Sequence, residues 1–124
     1  IEFNFDKNKY NFLVDNCSSC CLPLQKRIYF YENISKSIKK NGVIFMRTFS
    51  NKCILNISKK IKANEYFEPN KILNGVGKIN FLDKSNIYKI FNKNFKVVYL
   101  EEITRSLENQ KFLISEWIIY AKKY

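Results

Sequence analysis

Two short, almost uninterrupted apolar runs decide most of what this chain can become. Tyr10-Asn11-Phe12-Leu13-Val14-Asp15 ends in an acid, and Val43-Ile44-Phe45-Met46-Arg47-Thr48-Phe49 comes directly after a turn signal. Strands that are apolar at nearly every position, instead of every second one, belong in a sheet covered on both faces. Between them Leu24, Ile28, Tyr31, Ile34 and Ile38 recur at intervals of three and four, the buried stripe of an amphipathic helix. Pro23 suits the first turn of that helix, where its missing N–H costs nothing. Lys39 and Lys40 suit the carboxyl end, and Asn41-Gly42 supplies a left-handed stop. A strand, a helix and a strand in this order make a right-handed crossover between parallel strands. An all-helical or wholly antiparallel fold is thereby excluded.

The stretch 50–78 is less regular. Ile54, Ile57 and Ile61 carry the spacing of a short helix, and Pro69, Gly75 and Gly77 interrupt regular structure after it. Gly75-Val76-Gly77 reads as a flexible connection and not a phosphate loop, since no strand leads in and there is no third glycine. Asp83 caps a brief helix through Ile87, Ile90 and Phe91, with Leu82 placed to staple onto Ile87. A third strand covers Phe95–Ile103, and a fourth lies within Lys111–Lys122. The Thr104–Gln110 loop is too short for a helical crossover, so these two pair antiparallel. The expected sheet order is first, second, fourth, third strand, in three layers.

The 124 residues suit one domain or part of one. The first residue is Ile1, so the chain is expected to lie inside a longer product. No apolar run approaches the roughly 20 residues of a membrane helix. The net charge is +11, but 19 of the 22 basic residues are Lys and only 3 are Arg. Phosphate-gripping surfaces favour the bidentate guanidinium, so the charge points weakly to nucleic acid. The chain has no His, and its four cysteines are Cys17, Cys20, Cys21 and Cys53. Cys17 and Cys20 have a zinc-knuckle gap with no second pair to complete it. No metal is expected, and reduced thiols in the cytoplasm are.

The order of elements and several local patterns resemble class I S-adenosylmethionine-dependent methyltransferases. Glu2 to Asp15 is similar to that family's "LPF-x-x-x-x-FD-x-V-x-D" approach to its fourth strand. Lys40-Asn41-Gly42 and the run to Phe49 are similar to its "L-K-x-G-G" turn into the fifth, with one glycine replaced by Asn41. Asn80-Phe81-Leu82-Asp83, with Ile87, Ile90 and Phe91 after it, resembles its "F-x-x-x-E-L-x-x-x-F" helix. The Arg47-Thr48-Phe49-Ser50 ending is most like small-molecule, tellurite-resistance-type members. The resemblance implies an α/β fold, the carboxyl-terminal half of a Rossmann-like sheet, mostly parallel with an antiparallel last strand. It implies a single partial domain over residues 1–124. The family's glycine-rich first strand and the acids after its second and third strands have no counterpart in these residues. The cofactor would be S-adenosylmethionine and the partner a small-molecule methyl acceptor.

Ligands in such sheets bind beyond the carboxyl ends of parallel strands. That places Asp15, Asn16 and Cys17 toward the cofactor, with Asp15 holding its amino-acid end, orienting an acceptor or capping the cysteine turn. Arg47, Thr48, Phe49 and Ser50 face the acceptor, with Arg47 pairing an anionic substrate or forming a surface ion pair. Methyl transfer needs mostly positioning, so no catalytic acid or base is assigned. Cys17 or Cys20 is not expected to act as a nucleophile, for want of a His or nearby activating base. Two other classes stand beside this one: a basic nucleic-acid-binding domain with 8 Tyr and 11 Phe for stacking, and a non-catalytic remnant acting through protein contacts. The isolated chain is expected to bind S-adenosylmethionine weakly or not at all, and to dimerise or be poorly soluble through the exposed apolar edge of its first strand.

Overall fold

In the computed structural model, which describes residues 6–53, 57–62, 65–69, 77–107, 109 and 112–124, the two apolar runs lie side by side in parallel. Along the chain the elements are β1 (Tyr10–Asn16), a 3-10 turn (Ser19–Cys21), α1 (Leu24–Ser35), β2 (Ile38–Phe49), β3 (Ile57–Lys62), β4 (Glu65–Pro69), β5 (Ile79–Asn80), α2 (Lys84–Phe91), β6 (Phe95–Leu107) and β7 (Phe112–Lys123). The main sheet has the order β1-β2-β7-β6. β7 runs antiparallel to both neighbours, and β1, β2 and β6 share one direction. This is the order expected from the short connection between the last two strands. β6 continues past Ile103 to Leu107 and β7 begins at Phe112, so fewer residues separate the two strands than expected.

Both described helices pack on one face of this sheet. Tyr31 and Ile34 of α1, and Ile87, Ile90 and Phe91 of α2, close over Ile44, Met46, Trp117, Ile119 and Ala121. Edge-on ring contacts knit the layer, Tyr31 to Phe91 at 5.1 Å and Phe91 to Phe95 at 6.0 Å. Asp83 caps α2 as expected, accepting the Asn86 N–H at 2.8 Å, and Leu82 shares the buried cluster with Ile87. No described helix lies on the opposite face. The three-layer expectation is therefore corrected to two layers among the described residues.

Two further expectations change. The helix after Pro23 ends at Ser35, not at Asn41-Gly42. The hydroxyls of Ser35 and Ser37 donate back to the carbonyls of Glu32 (2.6 Å) and Ile34 (2.7 Å), and these local bonds compete with further helix. Ile38, read as the last of the helical stripe, is already strand and fully buried. The Asn-Gly pair instead builds a bulge. The register passes from Tyr10 opposite Ile38 to Phe12 opposite Val43, with Asn41 at a φ of 66°. A Cβ on Gly42 would sit 2.6 Å from Ile38 Cγ2 and 3.0 Å from the Asn11 carbonyl, so the close approach requires glycine. Second, Ile57 and Ile61 lie on a strand, not a helix: β3 pairs antiparallel with β4, and β4 with the short β5. Long-range pairing overrides a weak local pattern there. Ile54, Gly75 and Val76 lie outside the described residues, and no described helix is long and apolar enough to cross a membrane.

Candidate functional site

The crossover delivers the ends of β1 and β2 to the same edge of the sheet, where the chain turns sharply. Cys17 takes a φ of 57° and its N–H donates to the Arg47 carbonyl at 2.8 Å. Asp15 is buried beneath this turn. Its Oδ1 accepts the N–H groups of Ser18 (2.8 Å) and Ser19 (3.1 Å), and its Oδ2 accepts the hydroxyls of Ser19 and Tyr31. The carboxylate is thus filled by its own loop and helix, and Asn16 beside it is exposed. Burial next to the carboxylate pushes the Tyr31 hydroxyl well above its ordinary pKa, so Tyr31 is a firm donor at neutral pH.

Arg27, in the first turn of α1, points inward with no accessible surface. Its Nε donates to the Ser19 carbonyl at 2.9 Å and its Nη1 to Thr48 Oγ1 at 3.2 Å, while Nη2 has no partner among the described residues. Burial lowers its pKa, opposed by Tyr31, Cys20 and the Asp15 carboxylate. Thr48 and Ser50 are likewise buried, and Phe49 packs on Phe81 at 6.0 Å. Arg47 is half-buried, and its Nη2 reaches both oxygens of Glu116 at 2.8 and 3.0 Å. Arg105 approaches the same carboxylate at 3.1 Å. Of the two readings of Arg47, the ion pair is what the structure displays. Beyond it, Ser50 and Lys52 donate to Glu102, and Ser115 Oγ lies 2.9 Å from Thr104 Oγ1.

The thiols are quiet. Burial pushes Cys17 and Cys53 up to about 11, so both are protonated at neutral pH. Cys20 and Cys53 donate to the carbonyls of Cys17 (2.8 Å) and Ser115 (3.1 Å). No described trio of Cys, Asp or Glu is grouped to hold a metal ion.

The residues singled out from sequence are therefore gathered at one edge: Asp15, Asn16 and Cys17 at the end of β1, beside Arg47 to Ser50 at the end of β2. The reading missed Arg27, Tyr31, Glu102, Arg105 and Glu116. A signal existed for Arg27, one of only 3 arginines, which stands three residues after Leu24 and four before Tyr31 on the buried stripe. None existed for Glu116, whose partners lie 69 and 11 residues away.

No family model and no curated protein matches this sequence. Solved structures do. A methyltransferase from Methanosarcina mazei, S-adenosylmethionine-dependent, superposes over 98% of this chain with a TM-score of 0.74 at 11% identity. The chain has the class I methyltransferase fold. A Burkholderia thailandensis 1,6-didemethyltoxoflavin-N1-methyltransferase, solved with that acceptor and S-adenosylhomocysteine, matches 95% of the chain with a TM-score of 0.66 at 10% identity. A Pyrococcus horikoshii protein matches 99% with a TM-score of 0.68 at 11% identity. The chain spans 63%, 45% and 56% of these three proteins respectively.

Proposed function

We propose that these residues form the acceptor-side half of a domain that transfers a methyl group from S-adenosylmethionine to a small molecule. One observation carries the reading: nearly the whole chain, with β7 running between β2 and β6, superposes on methyltransferases of this kind. The Burkholderia neighbour, with a small heterocycle as acceptor, supports a small-molecule substrate.

The residues present fit one wall of a cofactor site. Asn16 offers an exposed amide at the Cys17 turn, while the Asp15 carboxylate is already occupied by four donors and serves to fix that turn. When bound, the cofactor supplies the electrophilic methyl group. What this chain contributes is positioning. Asp15, Tyr31 and Arg27 lock the end of β1 against the end of β2. Glu116 holds Arg47 in one orientation, with the rest of its guanidinium free, among the described residues, for an anionic acceptor group. The residues that chiefly hold the cofactor lie outside these 124.

Amide NMR of the 124-residue chain titrated with S-adenosylhomocysteine tests this. Shifts should concentrate at residues 15–19 and 47–50, with affinity weaker than about 100 µM. Shifts elsewhere, or none at millimolar ligand, would refute the assignment of the site. Low-micromolar binding would show a complete cofactor site and refute the half-site reading.

A further inference from the structure

The arginines are not scattered. Only 3 of the 22 basic residues are Arg, in a chain that otherwise uses Lys for positive charge. Two of them, Arg47 near the end of β2 and Arg105 near the end of β6, meet at one atom. Arg47 Nη2 lies 2.8 Å and Arg105 Nη2 3.1 Å from Oε2 of Glu116, which β7 carries between them. The third, Arg27, donates to Thr48, the residue after Arg47.

Anchoring a buried carboxylate needs one guanidinium. Glu116 is 5% exposed, and Arg47 alone reaches both of its oxygens. Arg105 adds a second positive charge beside the first, and like charges held side by side repel. The trio keeps one uncompensated positive charge. Neighbouring carboxylates do not cancel it: Glu102 accepts Ser50 and Lys52, and Glu101 accepts the Tyr99 hydroxyl. Arg47 and Arg105 each commit one nitrogen to Glu116, and their remaining N–H groups bond to no described residue. A structural ion pair has no use for the second guanidinium; an anion seated across both does.

We propose that Arg47 and Arg105, set side by side by Glu116, bind an oxyanion group, carboxylate or phosphate, of the methyl acceptor. That the anion belongs to a methyl acceptor depends on the function proposed above; that an anion binds here depends only on these three side chains. Planar guanidinium forks orient either group, as a lysine ammonium does not. The clamp also sets a direction. Asn16 of β1 stands opposite Arg47, while β7 and β6 continue the sheet on the other side. An acceptor held here has its charged end toward β6 and its other end toward the Asn16–Cys17 turn.

The three arginines give three Nε–H signals in a proton–nitrogen correlation spectrum of the chain, with buried Arg27 as the internal control. Titration with benzoate or phenyl phosphate to about 20 mM should move the Arg47 and Arg105 signals together, with a Kd of about 1–10 mM, and leave Arg27 in place. Response to one oxyanion and not the other identifies the group. Benzyl alcohol, the neutral analogue, should move none of the three. Arg47→Lys and Arg105→Lys keep the net charge, and each should weaken oxyanion binding about fivefold. Circular dichroism checks that they fold, and the wild-type titration stands without them. Unchanged affinity in the Lys variants, or shifts spread over lysines with both arginine signals still, would show adventitious binding and overturn the proposal. S-adenosylhomocysteine shifts at residues 15–19 with no oxyanion response would overturn it alone. Oxyanion binding without any S-adenosylhomocysteine response would remove the methyl-transfer reading and leave the anion site standing.

Discussion

Replacing Asp15 by Ala should damage the fold before it damages any ligand site. From its place at the end of a parallel strand, Asp15 is expected to matter more to turnover than to stability, and the structure reverses that order. The carboxylate is buried and accepts four donors. Without it, the Ser18 amide can rehydrate, but the Ser19 amide and the Tyr31 hydroxyl remain inside. Each buried donor left unpaired costs about 1–3 kcal/mol. The Arg27 guanidinium also loses a nearby carboxylate that stabilises its charge. The sum is about 3–5 kcal/mol, a large part of the 5–15 kcal/mol that holds a typical domain. Urea unfolding followed by Trp117 fluorescence reads this directly. Trp117 is the single tryptophan, buried, with its indole N–H on the Leu82 carbonyl at 2.9 Å. Tyr31→Phe removes donor and hydroxyl together and should cost only about 1–2 kcal/mol. The double variant should then lose about 1 kcal/mol less than the sum, since the orphaned hydroxyl is gone. A cost below about 1 kcal/mol for Asp15→Ala, or strict additivity, would refute the capping role.

The thiols of Cys17 and Cys53, pushed to about 11 from an ordinary value near 9, and Tyr31, raised above 10, all hold protons more tightly in the folded chain. Stability should be full below about pH 9 and decline as pH climbs toward 11, and a flat series of melting temperatures across that range would contradict it. Arg47→Ala should cost about 1–2 kcal/mol, because it strips the two-oxygen partner from buried Glu116. Arg105→Ala, at a more exposed guanidinium, should cost about 0.5 kcal/mol, and equal losses in urea titrations would count against this ranking. Gly42→Ala should lose about 2 kcal/mol by forcing apart Ile38, Lys39 and the Asn11 carbonyl; a neutral result would show that the bulge relaxes freely.

The crossover, the sheet order and the antiparallel last pair were legible because each depends on local quantities: an apolar run, a three-and-four spacing, a loop too short to cross back. Asn41-Gly42 was legible only in part. The pair says that the chain needs a left-handed residue and a missing Cβ, and a helix stop and a strand bulge both meet that need. The helix in fact ends six residues before Asn41, where two serine hydroxyls turn back on their own carbonyls. The Ile57–Lys62 strand escaped because its partner is another strand, and pairing leaves no mark in a window of one. The site divides the same way. Its edge was readable from topology, since strand ends collect there, but Asp15–Tyr31 and Arg47–Glu116 are joined across 16 and 69 residues. The second sheet face shows the deepest limit. Apolar residues at successive positions of β1 and β2 mean that both faces favour burial, and they carry no information about which polypeptide does the burying. The described helices answer for one face only.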